Sequence, residues 1–382
     1  MIRMAPEAQS LEERYTSADF DHSPLVAFYE VTRACDLVCL HCRACAQPRR
    51  HPNELNTHGA LSLVRQIGSF PRRPLLVLTG GDPFKRADLD QLIAEGDEAG
   101  MEVALTPSAT PLVTFRELQR LRWWGLRRLA VSIDGAGAAT HDRIRGVAGS
   151  FERSLRILND ARDAGLELQV NTTITADNVT ELGDLAELLS QQGLALWSVF
   201  FLVPVGRATN VGRIAPEEYE LVFQLLYDYA SQGTMRIKTT EAPHYRRYVA
   251  QRAQHAQGEA ARMAPARGRA PWGVNDGRGV VFVSHTGVIS PSGFLPIPCG
   301  DFPRDSVVDI YQQHLLFRSL RMPDLLHGKC GVCRYRHICG GSRARAYAVT
   351  GDVLAAEPDC VYQPPDWRPA GGVDPVCDTH VV

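Results

Sequence analysis

The chain has 382 residues, 45% hydrophobic and 22% charged, with a formal net charge of −2, a length that suits a barrel-type catalytic domain with an appendage. The balanced charge gives no electrostatic footprint for nucleic acid, and no run approaches the ~20 apolar residues that span a bilayer. The opening stretch MIRMAPEAQSLEERYTSADF lacks the apolar core of a secretion signal, so a cytoplasmic chain with no nucleic-acid or membrane partner is expected.

Residues 1–23 read as an N-terminal extension. Strands are then expected at PLVAFYEVT (24–32), PLLVLT (74–79), MEVALT (101–106), LRRLAVSI (126–133), LELQVNTTI (166–174) and ALWSVFFLV (195–203). Several are almost continuously apolar, as parallel strands covered on both faces require. Amphipathic stretches such as ADLDQLIAEGDEAG and SFERSLRILNDARDAG lie between them and end in Gly, a helix-stop signal. The expected fold is α/β, a partial (β/α)6 TIM-type barrel over residues 24–240, with a doubly wound open sheet as its rival. Residues 241–278 read as a linker; within it the Arg-rich run QRAQHAQGEAARMAPARGRA (251–270) reads as solvated chain or as a lid meeting an anionic substrate. Residues 279–382 then form a smaller C-terminal domain. It opens with GVVFVSHTGVISPSG, a hairpin with His-Thr-Gly at its turn.

In a reducing compartment, clustered cysteines are more often metal ligands or redox groups than disulfides. Four of the ten cysteines lie at positions 35, 39, 42 and 45, and the other six between 299 and 377, which predicts two separate metal sites. The first group directly follows the first strand. Polar or Gly-rich signals follow the others: GGDP (80–83), TPSAT (106–110), SIDG (132–135) and NTT (171–173). In parallel α/β barrels the C-terminal strand ends carry the ligand site, so one shared pocket is expected there. The spacing C-x3-C-x2-C-x2-C does not make a ferredoxin run, because Arg49 and Arg50 stand where Cys and Pro would complete it. Cys39 and Cys42 alone would also suit zinc.

Cys35-x3-Cys39-x2-Cys42, after a strand and before α/β repeats, resembles the signature of radical S-adenosylmethionine (radical SAM) enzymes. The resemblance implies that these three thiolates hold a [4Fe–4S] cluster whose fourth iron is left for S-adenosylmethionine, giving a 5′-deoxyadenosyl radical on reduction. GGDP (Gly80, Gly81, Asp82, Pro83) resembles the family's GGEP motif at the methionyl amino group, with Asp for the usual Glu. Ser132 and Asp134, and with them Ser108 and Asn171, fall at strand ends where the family contacts the cofactor; strand-end capping is the alternative for Ser132, Asp134 and Asn171, and beside the cysteines binding is the expected role of Ser132 and Asp134. Cys45 is expected to be a small packing residue near the cluster.

Cys330-x2-Cys333-x5-Cys339-x20-Cys360 can fully ligate a cluster or zinc. It resembles the SPASM or twitch extension of radical SAM enzymes, with Arg343 and Ser292 standing where two further cysteines of the full pattern would be. The resemblance therefore implies one auxiliary [4Fe–4S] cluster. Cys299 and Cys377 read as small packing residues. CGGSRARAYAVTGD resembles the C-terminal motif of the subgroup acting on tetrapyrroles in haem d1 and alternative haem biosynthesis. His244, Arg246, Arg247, Arg343 and Arg345 are then candidates to pair with substrate carboxylates, against surface arginines on a helix.

The leading expectation is thus a radical SAM oxidoreductase or lyase that decarboxylates or removes a tetrapyrrole side chain. A radical SAM maturase of a ribosomally made peptide is the alternative within the same chemistry. A non-enzymatic zinc or electron-carrier iron–sulfur protein is the alternative outside it. No flavin or nicotinamide fingerprint is present, so the electron is expected from an external flavodoxin or ferredoxin.

Overall fold

A computed structural model describes residues 15–233, 235–255 and 273–368. In chain order it contains β1 (Val26–Thr32), α1 (Thr57–Gly68), β2 (Leu75–Gly80), α2 (Leu89–Glu98), β3 (Val103–Leu105), α3 (Phe115–Trp123), β4 (Leu126–Ser132), α4 (Ala138–Arg145), α5 (Ser150–Asp163) and β5 (Glu167–Ile174). There follow α6 (Leu182–Ser190), β6 (Leu196–Phe201), α7 (Pro216–Gln232), β7 (Ile237–Thr240), α8 (His244–His255), β8 (Val280–Val283), β9 (Val288–Ser290) and β10 (Gly300–Asp301). The C-terminal part adds α9 (Val307–Gln313), α10 (Leu315–Leu320), α11 (Gly328–Gly331) and α12 (Arg343–Thr350).

All six expected strands are present. The first is buried along nearly its whole length, which explains its mostly apolar run, broken within the strand by Glu30. In α1, Ala60, Leu63, Val64 and Ile67 are buried at helical spacing, and the Asn56 side chain accepts from the Gly59 N–H at 2.9 Å to cap the first turn. The repeated alternation makes a parallel sheet with helices outside it. Parallel strands point the same way, so their C-terminal ends, and the loops that follow, share one rim.

Two corrections concern the sheet edges. Among the described residues the strand order is β10-β9-β8-β1-β2-β3-β4-β5-β6-β7, one sheet of ten strands. Strand β7 pairs in parallel with β6, although its sequence IKTT is too polar to announce a buried strand. Strand β8 pairs in parallel with β1, and β9 runs antiparallel to both its neighbours, β8 and β10. The expected hairpin with His-Thr-Gly at its turn does form, but it extends the barrel sheet instead of opening a separate domain. The boundary drawn at residue 279 therefore cuts through a continuous sheet. The expected linker over 241–278 is helical from His244 to His255, where Val249 and Tyr245 are buried in the main core. Its Arg-rich stretch lies mainly outside the described residues.

The C-terminal segment is stitched across the sheet rim. The Asp276 carboxylate accepts from the Ala344 N–H at 2.9 Å, and Arg345 donates to the carbonyl of Glu241 at 2.6 Å. No helix among the described residues is long and apolar enough to cross a membrane.

Candidate active site and four-cysteine centre

A cavity of about 310 Å³ opens at the C-terminal ends of the strands. Cys35, Cys39 and Cys42 line it together with Gly80, Gly81, Ser108, Ser132 and Asn171. The cysteine loop is held by local bonds. The Cys35 N–H donates to Gln47 O at 2.8 Å, the Leu37 N–H to Cys35 Sγ at 3.3 Å, and the Ala46 N–H to Cys42 Sγ at 3.4 Å. Cys35 Sγ also lies 3.2 Å from Ser108 Oγ. Burial pushes the Cys35 thiol above its ordinary range, with Ser108 opposing that. Thiols sunk in an apolar wall resist ionising alone, and a bound metal reverses that preference.

Cys45 differs from the other three. It is exposed, takes a left-handed φ of 47°, and is absent from the cavity wall, so the expectation of a packing residue is corrected. Three thiols face the cavity and the fourth turns to solvent because the loop reverses at Cys45.

Glycine at 80 and 81 is demanded by close backbone approach. A Cβ at Gly80, whose φ is 150°, would stand 2.2 Å from Thr32 O, and one at Gly81 would stand 2.4 Å from Ala34 O. This lets β2 lie directly against the start of the cysteine loop, where the Gly81 and Asp82 N–H groups donate to Thr32 O and Ala34 O at 2.8 and 2.7 Å. Asp82 and Pro83 do not line the cavity, which corrects their expected place at the cofactor. The Asp82 carboxylate is buried and accepts from Thr110 Oγ1 at 2.7 Å and the Phe84 N–H at 3.2 Å, so it shapes the turn.

Asp134 is also behind the wall, not in it, a second correction. It is fully buried, 2.5 Å from Arg145 Nη2 and 3.7 Å from His41 Nε2, and accepts from the Thr173 N–H at 2.8 Å. Burial alone would raise its pKa, but Arg145, His41 and His141 hold it below the usual carboxylate range. Asp134 thereby fixes two cavity groups that the sequence did not single out, Arg145 and His41. Arg145 Nη1 lies 3.7 Å from Cys39 Sγ, and burial pushes the His41 imidazole down to about 4. Arg207, also missed, donates to Cys39 O at 2.9 Å and Ala46 O at 3.2 Å. Buried nitrogens of His41, Arg145 and Arg207 have no hydrogen-bond partner among the described residues, and all three side chains belong to the cavity wall. The only sequence signal for His41 was its position inside the cysteine loop.

The opposite wall is made by the C-terminal part: Glu241, Arg246, Asn275, Asp276, Ser292 and Gly293. Glu241 and Asp276 form a buried carboxyl pair. Burial and then Asp276 push Glu241 well up, and burial likewise raises Asp276. Glu241 has a left-handed φ of 59° and accepts from Ser342 Oγ at 2.6 Å. It stands at the end of β7, the strand end hidden by its polar sequence.

Of the five candidate carboxylate partners, only Arg246 faces this cavity. It also donates to Val274 O at 2.9 Å. Arg343 and Arg345 are buried and structural, a correction to the expected substrate role. Arg343 donates to Val353 O and Ala355 O at 3.0 and 2.7 Å, and Arg345 pairs with Glu357 and Asp359 at 2.8 and 3.1 Å. Arg247 pairs with Glu220 and, with His244, faces a different chamber.

That second chamber is lined by Cys330, Cys333, Cys339 and Cys360 with His244, Arg247, Lys329 and Glu357. Two backbone donors already point at sulfur: Glu357 N–H to Cys330 Sγ at 3.3 Å and Gly341 N–H to Cys339 Sγ at 3.4 Å. Among the described residues no group of three or more His, Cys, Asp or Glu is placed to hold a single metal ion. Tetrahedral zinc with ~2.3 Å bonds needs thiols within roughly 4 Å of one another. A cubane, ligated at separate iron corners, takes more widely spaced thiols. Cys299 lies outside both chambers and packs against the main core, its thiol pushed up to about 12 by burial. Cys377 lies outside the described residues.

The description "Radical SAM superfamily" matches residues 29–189. The chain is 40% identical over 343 residues to the AdoMet-dependent heme synthase of Oleidesulfovibrio alaskensis, covering 88% of this chain and 87% of that one. It is 29% identical to the pre-heme d1 synthase of Dinoroseobacter shibae, with 88% and 85% covered. Streptococcus suis SuiB bound to S-adenosylmethionine has the same fold, with a TM-score of 0.66 at 15% identity over 89% of this chain and 78% of that one. A three-thiol loop at the rim of a parallel sheet, and 40% identity across most of the chain to a protein of that chemistry, place this chain in the radical SAM superfamily, with a [4Fe–4S] cluster and S-adenosylmethionine as its cofactors.

Proposed function

We propose that this chain removes carbon dioxide from propionate side chains of a tetrapyrrole in haem formation. When bound, the cluster supplies one electron that splits S-adenosylmethionine into methionine and a 5′-deoxyadenosyl radical. Cys35, Cys39 and Cys42 would hold that cluster. The rim formed by Gly80, Gly81, Ser108 and Ser132, with the unpartnered nitrogens of His41 and Arg145, would seat the cofactor. Asp134 would act behind them, holding Arg145 in place.

The observation that carries the substrate class is the charge of the cavity wall. Arg43 within the thiol loop, Arg207 against that loop, and Lys238 and Arg246 all line the cavity, which suits a ligand bearing several carboxylates. Arg43 is itself fixed over the Phe282 ring at 4.7 Å and paired with Glu30 at 3.0 Å. Burial opposes ionisation of Glu30, but Arg43 and His285 hold it below the usual range, so that pair is charged at neutral pH. A propionate that yields one hydrogen atom to 5′-deoxyadenosine, then carbon dioxide and one electron, becomes a vinyl group. The four-cysteine centre would accept that electron as an auxiliary [4Fe–4S] cluster, and a flavodoxin or ferredoxin would feed the first. The names of the heme synthase and pre-heme d1 synthase relatives support the substrate class.

The test is anaerobic turnover of reconstituted protein with S-adenosylmethionine, dithionite and a panel of iron-tetrapyrroles and peptides. 5′-Deoxyadenosine formed in step with loss of hydrogen and carbon dioxide from a tetrapyrrole is the expected result. Cofactor cleavage indifferent to every tetrapyrrole, or coupled only to a peptide, refutes the assignment.

A further inference from the structure

His244 is fully buried, and neither of its ring nitrogens has a hydrogen-bond partner among the described residues. A buried polar group left without a partner is destabilising, so such an arrangement calls for a ligand. The ring is not free to turn away. It lies 5.1 Å from the Tyr219 ring centroid and 4.9 Å from that of Phe223, inclined at 34° and 69° to them. The chamber it lines contains Cys330, Cys333, Cys339 and Cys360.

We infer that His244 donates an N–H hydrogen bond to a sulfur of the four-cysteine centre and raises that centre's reduction potential. The inference rests on the auxiliary-cluster reading given above. An imidazole in either protonation state carries at least one N–H donor, so the bond does not depend on the ring's charge. Cluster potentials are set in part by hydrogen bonds to the sulfurs and by nearby charge. Reduction adds negative charge to those sulfurs, so a donor stabilises the reduced form more than the oxidised form. Glu357, the carboxylate in the wall, is paired with Arg345 at 2.8 Å, and the donors and cations around it act in the same direction as His244. Backbone N–H groups of Gly341 and Glu357 point at Cys339 and Cys330, and Arg247 and Lys329 line the chamber. Such a wall suits a centre that takes up an electron released by chemistry elsewhere. The sequence placed His244 among candidate partners for substrate carboxylates; its chamber is the thiol one.

The test uses the full-length chain carrying Cys35→Ala, Cys39→Ala and Cys42→Ala, so that iron, sulfide and EPR signals report the C-terminal centre alone. After anaerobic reconstitution, potentiometric titration followed by EPR gives its midpoint potential. Adding His244→Phe, which keeps the aromatic packing and removes the donor, is expected to leave the iron and sulfide content unchanged and move the midpoint to a more negative value. His244→Gln, which restores an N–H, is expected to fall between the two. An unchanged midpoint in His244→Phe with an intact cluster overturns the inference. So does loss of the cluster in both His244 variants, because that would mark a residue needed for assembly. A triple-alanine chain that assembles no iron–sulfur cluster overturns the auxiliary-cluster reading itself, an outcome read before any His244 variant is made.

Discussion

Arg345→Met separates a structural from a substrate-binding role at a residue whose sequence suggested the latter. The side chain is fully buried, its Nε lying 2.8 Å from Glu357 and 3.1 Å from Asp359, under the Tyr219 ring at 5.3 Å. Methionine preserves most of the volume and leaves the buried Glu357 carboxylate without its cation, while Asp359 keeps Arg213 at 3.1 Å. Breaking a buried pair from one side costs about 3–5 kcal/mol. Electrostatics at Glu357 gives a similar figure. Burial opposes its ionisation, yet Arg345 and His244 hold the carboxyl at about 2 against an ordinary 4.5, and that difference corresponds to about 3 kcal/mol. Because the pKa is depressed, this stabilisation is complete above pH 4.5 and is lost only as pH falls toward 2. The deficit of the variant is therefore expected to be equal at pH 6 and pH 9. Anaerobic thermal melts followed by circular dichroism should show the midpoint lowered by roughly 4–6 °C. A variant with an unchanged melt but impaired binding of a tetrapyrrole would refute this account and return Arg345 to the substrate.

Three further outcomes are expected. Cys42→Ala should abolish S-adenosylmethionine cleavage, whereas Cys45→Ala, at an exposed position outside the cavity wall, should retain both the cluster EPR signal and cleavage. Gly81→Ala places a methyl 2.4 Å from Ala34 O and should cost about 1–3 kcal/mol while lowering affinity for S-adenosylmethionine in equilibrium dialysis; Gly183→Ala, whose methyl meets only Leu225 at 4.0 Å, is the silent control. Glu241 is held neutral above its ordinary 4.5 by burial and Asp276, so its contribution is full below 4.5 and fades as pH rises through its folded pKa. Melts of Glu241→Gln between pH 6 and 9 should accordingly gain on the parent as pH rises, and a constant gap would refute the shared-proton pair.

Local chemistry made much of this protein legible from its sequence. Nearly continuous apolar runs such as VAFYEVT mark strands buried on both faces, and the cysteine spacing marks a ligand set, because both depend on neighbours close in the chain. Glycines at 80 and 81 likewise announce a close approach, although the carbonyls that require it come from the end of β1 at Thr32 and from Ala34 in the loop after it. Burial and long-range pairing were not legible. A polar IKTT becomes a strand only because β6 offers it an edge, and VVFV joins β1 across some 250 residues of chain. Asp134 and Arg345 carry charges that could equally have met a ligand. Arg145 and Glu357 take them up instead, and the folded backbone alone determines which charges come within reach. The same distinction applies to the cysteine loop. Its sequence supplies four thiols within eleven residues, and the left-handed turn at Cys45 leaves three of them facing the cavity.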